Sequence, residues 1–263
     1  MYRFILAAWL GALSLCASAV PSLYIATVYD FVDGGQSSFR KRVTNTGDST
    51  AFVSIGLSEI IYGQGEPQEI PLHSDASDAQ PKGLIATPSR LIIPPKGTQA
   101  TRLLVRADRD RERYYRVRLV PVVPEKDDAF GLPDAEREAY QASFGAGVNV
   151  LTGYGTVLIV RPAVTRFDTR IEQTAEHYSL TNAGNSTIAL EALKDCSAGE
   201  EPVCEPNGVR HIMPGKSSRI AKQPGRVVRF NRVEGDASFP TEVLSTEVLS
   251  TQVSAQAPSS QAQ

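Results

Sequence analysis

The feature that most constrains this chain is a succession of short alternating segments cut apart by turn signals. Phe39-Arg40-Lys41-Arg42-Val43 alternates, Asn45-Thr46-Gly47-Asp48 turns, and Ala51 to Ile61 alternates again. Leu91-Ile92-Ile93 runs into the turn Pro94-Pro95-Lys96-Gly97, Thr101 to Val105 resumes, and Tyr114 to Val123 is β-branched and aromatic, as strands prefer. Only Pro133 to Phe144 gathers good helix formers, with Asp134, Glu136 and Glu138 early in the run. A second series opens near Pro162. Tyr178-Ser179-Leu180 leads into the turn Asn182-Ala183-Gly184-Asn185, Thr187 to Leu193 alternates, Met213-Pro214-Gly215-Lys216 turns, and Val227 to Val233 closes the set. Alternate strand residues point to opposite faces, so each segment has one apolar face that must pack on another sheet. The pattern predicts an all-β chain of two antiparallel sandwiches.

The ends read differently. Arg3, the apolar run Phe4 to Leu15 and Ala17-Ser18-Ala19 read as a secretory leader over residues 1–19, cut after Ala19. That run is shorter than the roughly 20 apolar residues of a membrane span. Residues 20–161 and 162–240 are then the two sandwich domains. At the far end Thr241-Glu242-Val243-Leu244-Ser245 is repeated as Thr246-Glu247-Val248-Leu249-Ser250 and gives way to Ser, Gln, Ala and Pro, so residues 241–263 read as a disordered tail.

Export leaves Cys196 and Cys204, with Gly199 and Pro202 between them, able to close a short loop, and an oxidising compartment favours their disulfide. A zinc site would need two more ligands, and His73, His177 and His211 are the only histidines to draw on. Scattered histidines, and no GxSxG or HExxH run, leave little to build an enzyme on, so none is expected. Lys+Arg 27 against Asp+Glu 29 gives a formal charge of -2, which offers nucleic acid no general attraction. The arginines from Arg102 to Arg118 are interleaved with Asp108, Asp110 and Glu112, the pattern of a solvated or paired strand face.

Taken in order, several segments resemble a known family. Leu84-Ile85-Ala86-Thr87-Pro88, Leu91 to Gly97 and Thr101-Arg102-Leu103 look like the first-domain signature of periplasmic pilus-assembly chaperones of the chaperone–usher pathway. Asp110 to Val117 resembles that family's sixth strand, and Tyr154-Gly155-Thr156-Val157-Leu158-Ile159-Val160-Arg161-Pro162 its seventh strand and hinge. Leu180 to Asn185, the cysteine loop and Met213 to Lys216 fit its second domain. The resemblance is nearest to the alternate, alpha-type branch serving fimbriae of the colonisation-factor and common-pilus kind. It implies two immunoglobulin-like sandwiches set at an angle with a cleft between them. It also implies a periplasmic chaperone that lends its seventh strand to pilus subunits lacking one, hands them to an outer-membrane usher, and needs no cofactor. The competing reading is an exported, two-domain immunoglobulin-like adhesive or binding protein of the cell surface.

Strand donation needs apolar residues at every second position, and Val148, Val150, Thr152 and Tyr154 form the better series. A bare strand edge invites self-association, so capping by a second copy is a further expectation. The connection from Val120 to Gly147 is far longer than a hairpin loop and reads as a solvated functional loop, with Ala129-Phe130-Gly131-Leu132 as its apolar contact. The family's cationic anchor for the subunit's terminal carboxylate falls here near Val28, Tyr29 and Val157, none of them cationic, so Arg116 and then Lys41 are the substitutes. By resemblance Arg161 pairs with Glu112 and an acid of the second domain, Glu234 or Asp236, at the hinge, and Thr87-Pro88 is the cis peptide.

Overall fold

The computed structural model describes residues 20–72, 83–126, 128, 130–144, 150–199 and 201–244. The leader read at 1–19, Val148, Ala129 and the tail beyond Leu244 lie outside the described residues. Contacts divide the chain into two units. One comprises Met1–Asp30, Ser37–Arg106 and Tyr115–Leu158; the other comprises Phe31–Gln36, Ala107–Tyr114 and Ile159–Gln263. Two segments that sequence order would give to the first domain therefore count with the second, and the last boundary falls at Leu158, ahead of the Arg161 read from the sequence.

The alternating segments become strands β1 (Leu23–Tyr24), β2 (Tyr29–Val32), β3 (Ser38–Asn45), β4 (Ala51–Ile61), β5 (Gln68–Pro71), β6 (Leu84–Thr87), β7 (Arg90–Ile93), β8 (Thr98–Val105), β9 (Arg113–Val122) and β10 (Tyr154–Val160). One sheet runs β1-β3-β8-β6, and the other β2-β10-β9-β4-β5 with β7 also on β4. Their inner faces bury Val43, Leu103 and Leu84 on one side and Val53, Tyr115, Val117 and Leu119 on the other. Val157 N–H donates to the Val28 carbonyl at 2.8 Å and Arg161 N–H to that of Val32 at 2.9 Å, so β2 runs parallel to β10. The Thr87-Pro88 peptide is cis.

The expected loop after β9 is instead fastened to the sheet. Helix α1 (Asp134–Ser143) follows Pro133, and its first-turn Asp134 and Glu136 suit the positive helix end. Tyr140 meets Phe52 of β4 edge-on at 4.8 Å and donates to the Thr50 carbonyl at 2.8 Å. Burial pushes the Tyr140 phenol up to about 12. Phe130 packs edge-on against the same Phe52 at 5.3 Å, and the Arg90 guanidinium lies over its ring. Phe130, read as part of the loop's apolar contact, thus packs on the chain's own sheet, because Phe52 stands on the outer face of β4 and needs cover.

The second unit contains β11 (Thr169–Gln173), β12 (His177–Asn182), β13 (Ile188–Ser197), β14 (Cys204–Pro206), β15 (Arg210–Ile212), β16 (Ser217–Ala221), β17 (Arg226–Glu234) and β18 (Ala237–Leu244). A sheet β11-β12-β16 faces a sheet β14-β13-β17-β18, with β15 on β13. Tyr178, Leu180 and Ile220 from the first close on Ile188, Leu190, Phe230 and Val243 from the second. Strand β18 runs past the boundary read at Pro240. Its Val243 pairs in register with Val228 and is 3 % exposed, so Thr241 to Leu244 belong to the sheet, with Val243 in its core, and not to a tail.

Both units solve the same corner in the same way. Asn45 ends β3 fully buried; its Nδ2 donates to the carbonyls of Ser49 and Ile93, and its Oδ1 accepts from Ser22 and Gly47. Asn182 ends β12 likewise, donating to Ser186 and Ile212 carbonyls and accepting from Gly184 N–H. One amide thereby satisfies backbone groups that the turn leaves without ladder partners. The glycine two residues on is required in both places by close approach. A Cβ at Gly47 would stand 2.4 Å from the Val20 carbonyl oxygen, and one at Gly184 2.5 Å from that of Arg166.

Cys196 and Cys204 are bonded and sit opposite each other across β13 and β14. The bridge closes a short loop, whose restriction in the unfolded chain is worth about 2 kcal/mol. Cys204→Ser is expected to lower the urea-unfolding free energy by about that amount. An unchanged midpoint would mean that the bridge adds nothing to the sandwich.

Candidate functional site

Strand β9 sorts its residues as alternation demands. Tyr115, Val117 and Leu119 are buried, while Arg116 and Arg118 face out beside β10. Glu69 of β5 meets them both: Oε1 lies 3.1 Å from Arg116 Nε and Oε2 2.6 Å from Arg118 Nη2. Arg118 also donates to the Ser58 hydroxyl at 3.3 Å. Burial pushes the Glu69 carboxyl up, but hydrogen bonds from Arg118 and Arg116 outweigh it and hold the group below the usual carboxylate range. Two guanidinium groups thus share one carboxylate on a face that is still open to solvent, an arrangement suited to gripping carboxylates. Sequence reasoning found Arg116 but missed Glu69, because Gln68-Glu69-Ile70-Pro71 is short and carries a single β-former, Ile70.

Lys41 has another role. It is 3 % exposed, its Nζ lies 2.6 Å from Asp30 Oδ2, and it donates to the Thr27 carbonyl at 2.6 Å. Thr27 in turn donates its hydroxyl to the other Asp30 oxygen. A buried, fully engaged ammonium is not open to a carboxylate from outside, so the anchor reading is corrected here. Lys41 instead fixes the segment that leads into β2.

Ahead of β10 the chain is bare. Val150 is 76 % exposed, Thr152 is exposed and Leu151 is half-buried. Tyr154 begins the strand and donates its hydroxyl to the Leu23 carbonyl at 3.0 Å. The expected strand from Val148 to Tyr154 is therefore formed only from Tyr154 onward among the described residues. Its parallel bonding to the β2 side starts at Val157, and Gly153 and Gly155 bring no side chain to pack.

Glu112 and Arg161, read as a hinge pair, both count with the second unit. They are joined through Ser186, whose hydroxyl donates to Glu112 at 2.7 Å and accepts from Arg161 at 2.9 Å. Arg161 is 5 % exposed and lies between the rings of Phe31 and Phe167, at 4.6 and 5.1 Å. Its nearest acid is Asp33, at 3.1 Å, in place of the expected Glu234 or Asp236. Glu234 is held by Thr169 and Arg232. Burial lowers the Arg161 pKa, while Asp33 first, then Glu112 and Asp236, oppose the shift. Arg109 completes the cluster by donating to the carbonyls of Arg161, Gln36 and Asp33, each at 2.7 Å.

The search for a matching family model finds none. The chain is, however, 29 % identical over 225 residues to a probable fimbrial chaperone EcpB of Klebsiella pneumoniae strain 342, covering 83 % of this chain and 91 % of that protein. A probable fimbrial chaperone EcpB of Escherichia coli O1:K1 is 27 % identical over 232 residues, covering 86 % and 93 %. The chain is a homologue of fimbrial chaperones. Among solved structures, the class 5 fimbriae chaperone CfaA matches with a TM-score of 0.50 at 18 % identity, covering 85 % of this homologue and 99 % of that chain, and so shares its two-domain β fold. Among the described residues no helix of the homologue is long and apolar enough to cross a membrane, and no cluster of three or more metal-ligating side chains forms.

Proposed function

We propose that the chain is a periplasmic, non-enzymatic chaperone that binds and stabilises pilus or fimbrial subunits by donating a strand to them and delivers them to an outer-membrane usher. The observation that carries this is its likeness to fimbrial chaperones over more than four-fifths of its length. The donor is the stretch leading into β10. Val150 inserts into the subunit, and Val148, Thr152 and Tyr154 extend the same series along it. An incoming strand end finds an exposed segment that needs no unfolding to be reached, since Val150 and Thr152 already face solvent. Arg116, with Arg118 beside it, is the anchor for the subunit's terminal carboxylate, and Glu69 holds both guanidinium groups until that carboxylate arrives. The leader at 1–19 directs export, and the Cys196–Cys204 bridge suits an oxidising compartment.

The test is co-purification. The tagged chain is expressed in a bacterial periplasm together with the fimbrial genes beside its own, and co-eluting polypeptides are identified. One small β-rich polypeptide is expected with the wild type. Val150→Asp places a charge in the subunit's apolar groove and is expected to weaken capture about a hundredfold or more while the free protein melts unchanged. Capture that survives Val150→Asp moves the donor to another strand. Absence of any client sinks the chaperone reading in favour of an adhesive module.

A further inference from the structure

The second unit has a cavity of about 170 Å³ at one end of its sandwich, well separated in sequence from β10. Its floor is core: Leu193, Ile220 and Val243, all nearly inaccessible to solvent, line it from strands β13, β16 and β18. Its walls carry Arg210, Arg219, Lys222 and Arg226 against a single carboxylate, Asp195. Four cations with one acid is a concentration of positive charge out of keeping with a chain whose formal charge is -2.

Like charges brought together over an apolar floor repel more strongly than the same charges in open water, so the arrangement favours a counter-anion in the space between them. Arg226 is already oriented for one. Its Nε lies 2.9 Å from Asp195 Oδ1, and Nη2 donates to the Asp195 carbonyl, which fixes the guanidinium plane. Arg210 donates to the Arg219 backbone carbonyl at 3.5 Å, which holds its guanidinium beside β16, and the exposed Arg219 lines the same cavity. Arg210, Lys222 and Arg226 are each half-buried, which limits competition from water without isolating the charges. The volume is below the roughly 300 Å³ at which drug-sized sites begin.

We propose that this cavity is a binding site for a small oxyanion, a carboxylate or a phosphate group, held by Arg219 and Lys222 against the fixed Arg226. It does not depend on the strand-donation reading, since no residue of β9 or β10 takes part.

The full chain, labelled with ¹⁵N, would be titrated with sodium phosphate, with sodium acetate and with sodium chloride at matched ionic strength. Saturable shifts of the Asn207, Arg219 and Lys222 amides are expected with at least one oxyanion and not with chloride. Saturation by phosphate alone identifies a phosphoryl ligand; saturation by acetate, alone or with phosphate, identifies a carboxylate. The double variant Arg219→Gln/Lys222→Gln is expected to weaken binding about tenfold or more, because it removes two charge-assisted bonds. Arg210→Gln gives an independent reading should the double variant alter the rest of the spectrum. Saturation by neither oxyanion, or an affinity that neither variant changes, overturns the proposal.

Discussion

Lys41→Ala should be among the most damaging single substitutions in the first unit, lowering its unfolding free energy by about 3–5 kcal/mol. The reason is the burial of both partners, 3 % and 5 % exposed in their side chains. Removing the ammonium strands the Asp30 carboxylate in the interior with only the Thr27 hydroxyl to solvate it. The pair itself need not be a large stabiliser, since two charges lose their hydration to form it. Replacing both, as Asp30→Leu/Lys41→Met, should therefore recover most of the loss. Urea unfolding of the two single variants and the double separates these contributions. Equal damage in the double and the singles would mean that packing of the Lys41 stem, and not the charge, holds the site.

Glu112→Ala should cost the second unit about 3 kcal/mol or more, with Glu112→Gln in between. The carboxylate accepts from the Ser186 hydroxyl at 2.7 Å, the Thr187 N–H at 2.8 Å, the Thr187 hydroxyl, and the Tyr114 hydroxyl at 2.6 Å. Alanine takes the acceptor away from the buried Ser186 and Thr187 donors, and it withdraws one of the negative charges that sustain the buried Arg161. Glutamine keeps the shape but presents an amide where two donors need oxygens. The measurement is the thermal midpoint together with amide exchange at Thr187. Exchange that stays as slow in Glu112→Ala as in the wild type would show that the donors have found other partners.

The β architecture was legible because its signals are local. Ala51 to Ile61 is one strand as read, although its buried positions shift from Val53 and Ile55 to Ser58 and Ile60 part-way along, and the turns at Asn45 and Asn182 carry their glycine two residues on. Arg116 and Lys41 both lie in alternating segments, and in the structure the first faces outward and the second inward. What alternation does not report is the partner. Asp30 and Glu69 come from segments too short or too polar to be noticed, yet they decide that one cation is a structural fixture and the other a surface clamp. The same holds for Asp33, which makes the ion pair to Arg161, while Asp236 acts on it without pairing. The helix at Asp134–Ser143 was visible as a propensity, but its docking was not, because that depends on a lone exposed-face phenylalanine more than eighty residues away by the order of the chain. At β18 the tail-like composition beyond Leu244 masked the strand before it, whose only buried position is Val243.

The rims of the sheets carry a last consequence. Strand β18, at one margin, has Pro240 in its middle and Glu242 paired with Arg229, and β11, at another, shows Arg170 and Glu172 to solvent. A missing N–H and a row of charges make poor templates for a visiting backbone. Against such margins the stretch at Val150 to Gly153 has neither proline nor charge. For a chain proposed to lend a strand, selectivity would then begin with refusal: margins such as β11 and β18 turn a visitor away, which leaves the stretch at Val150 to Gly153 among those open to it.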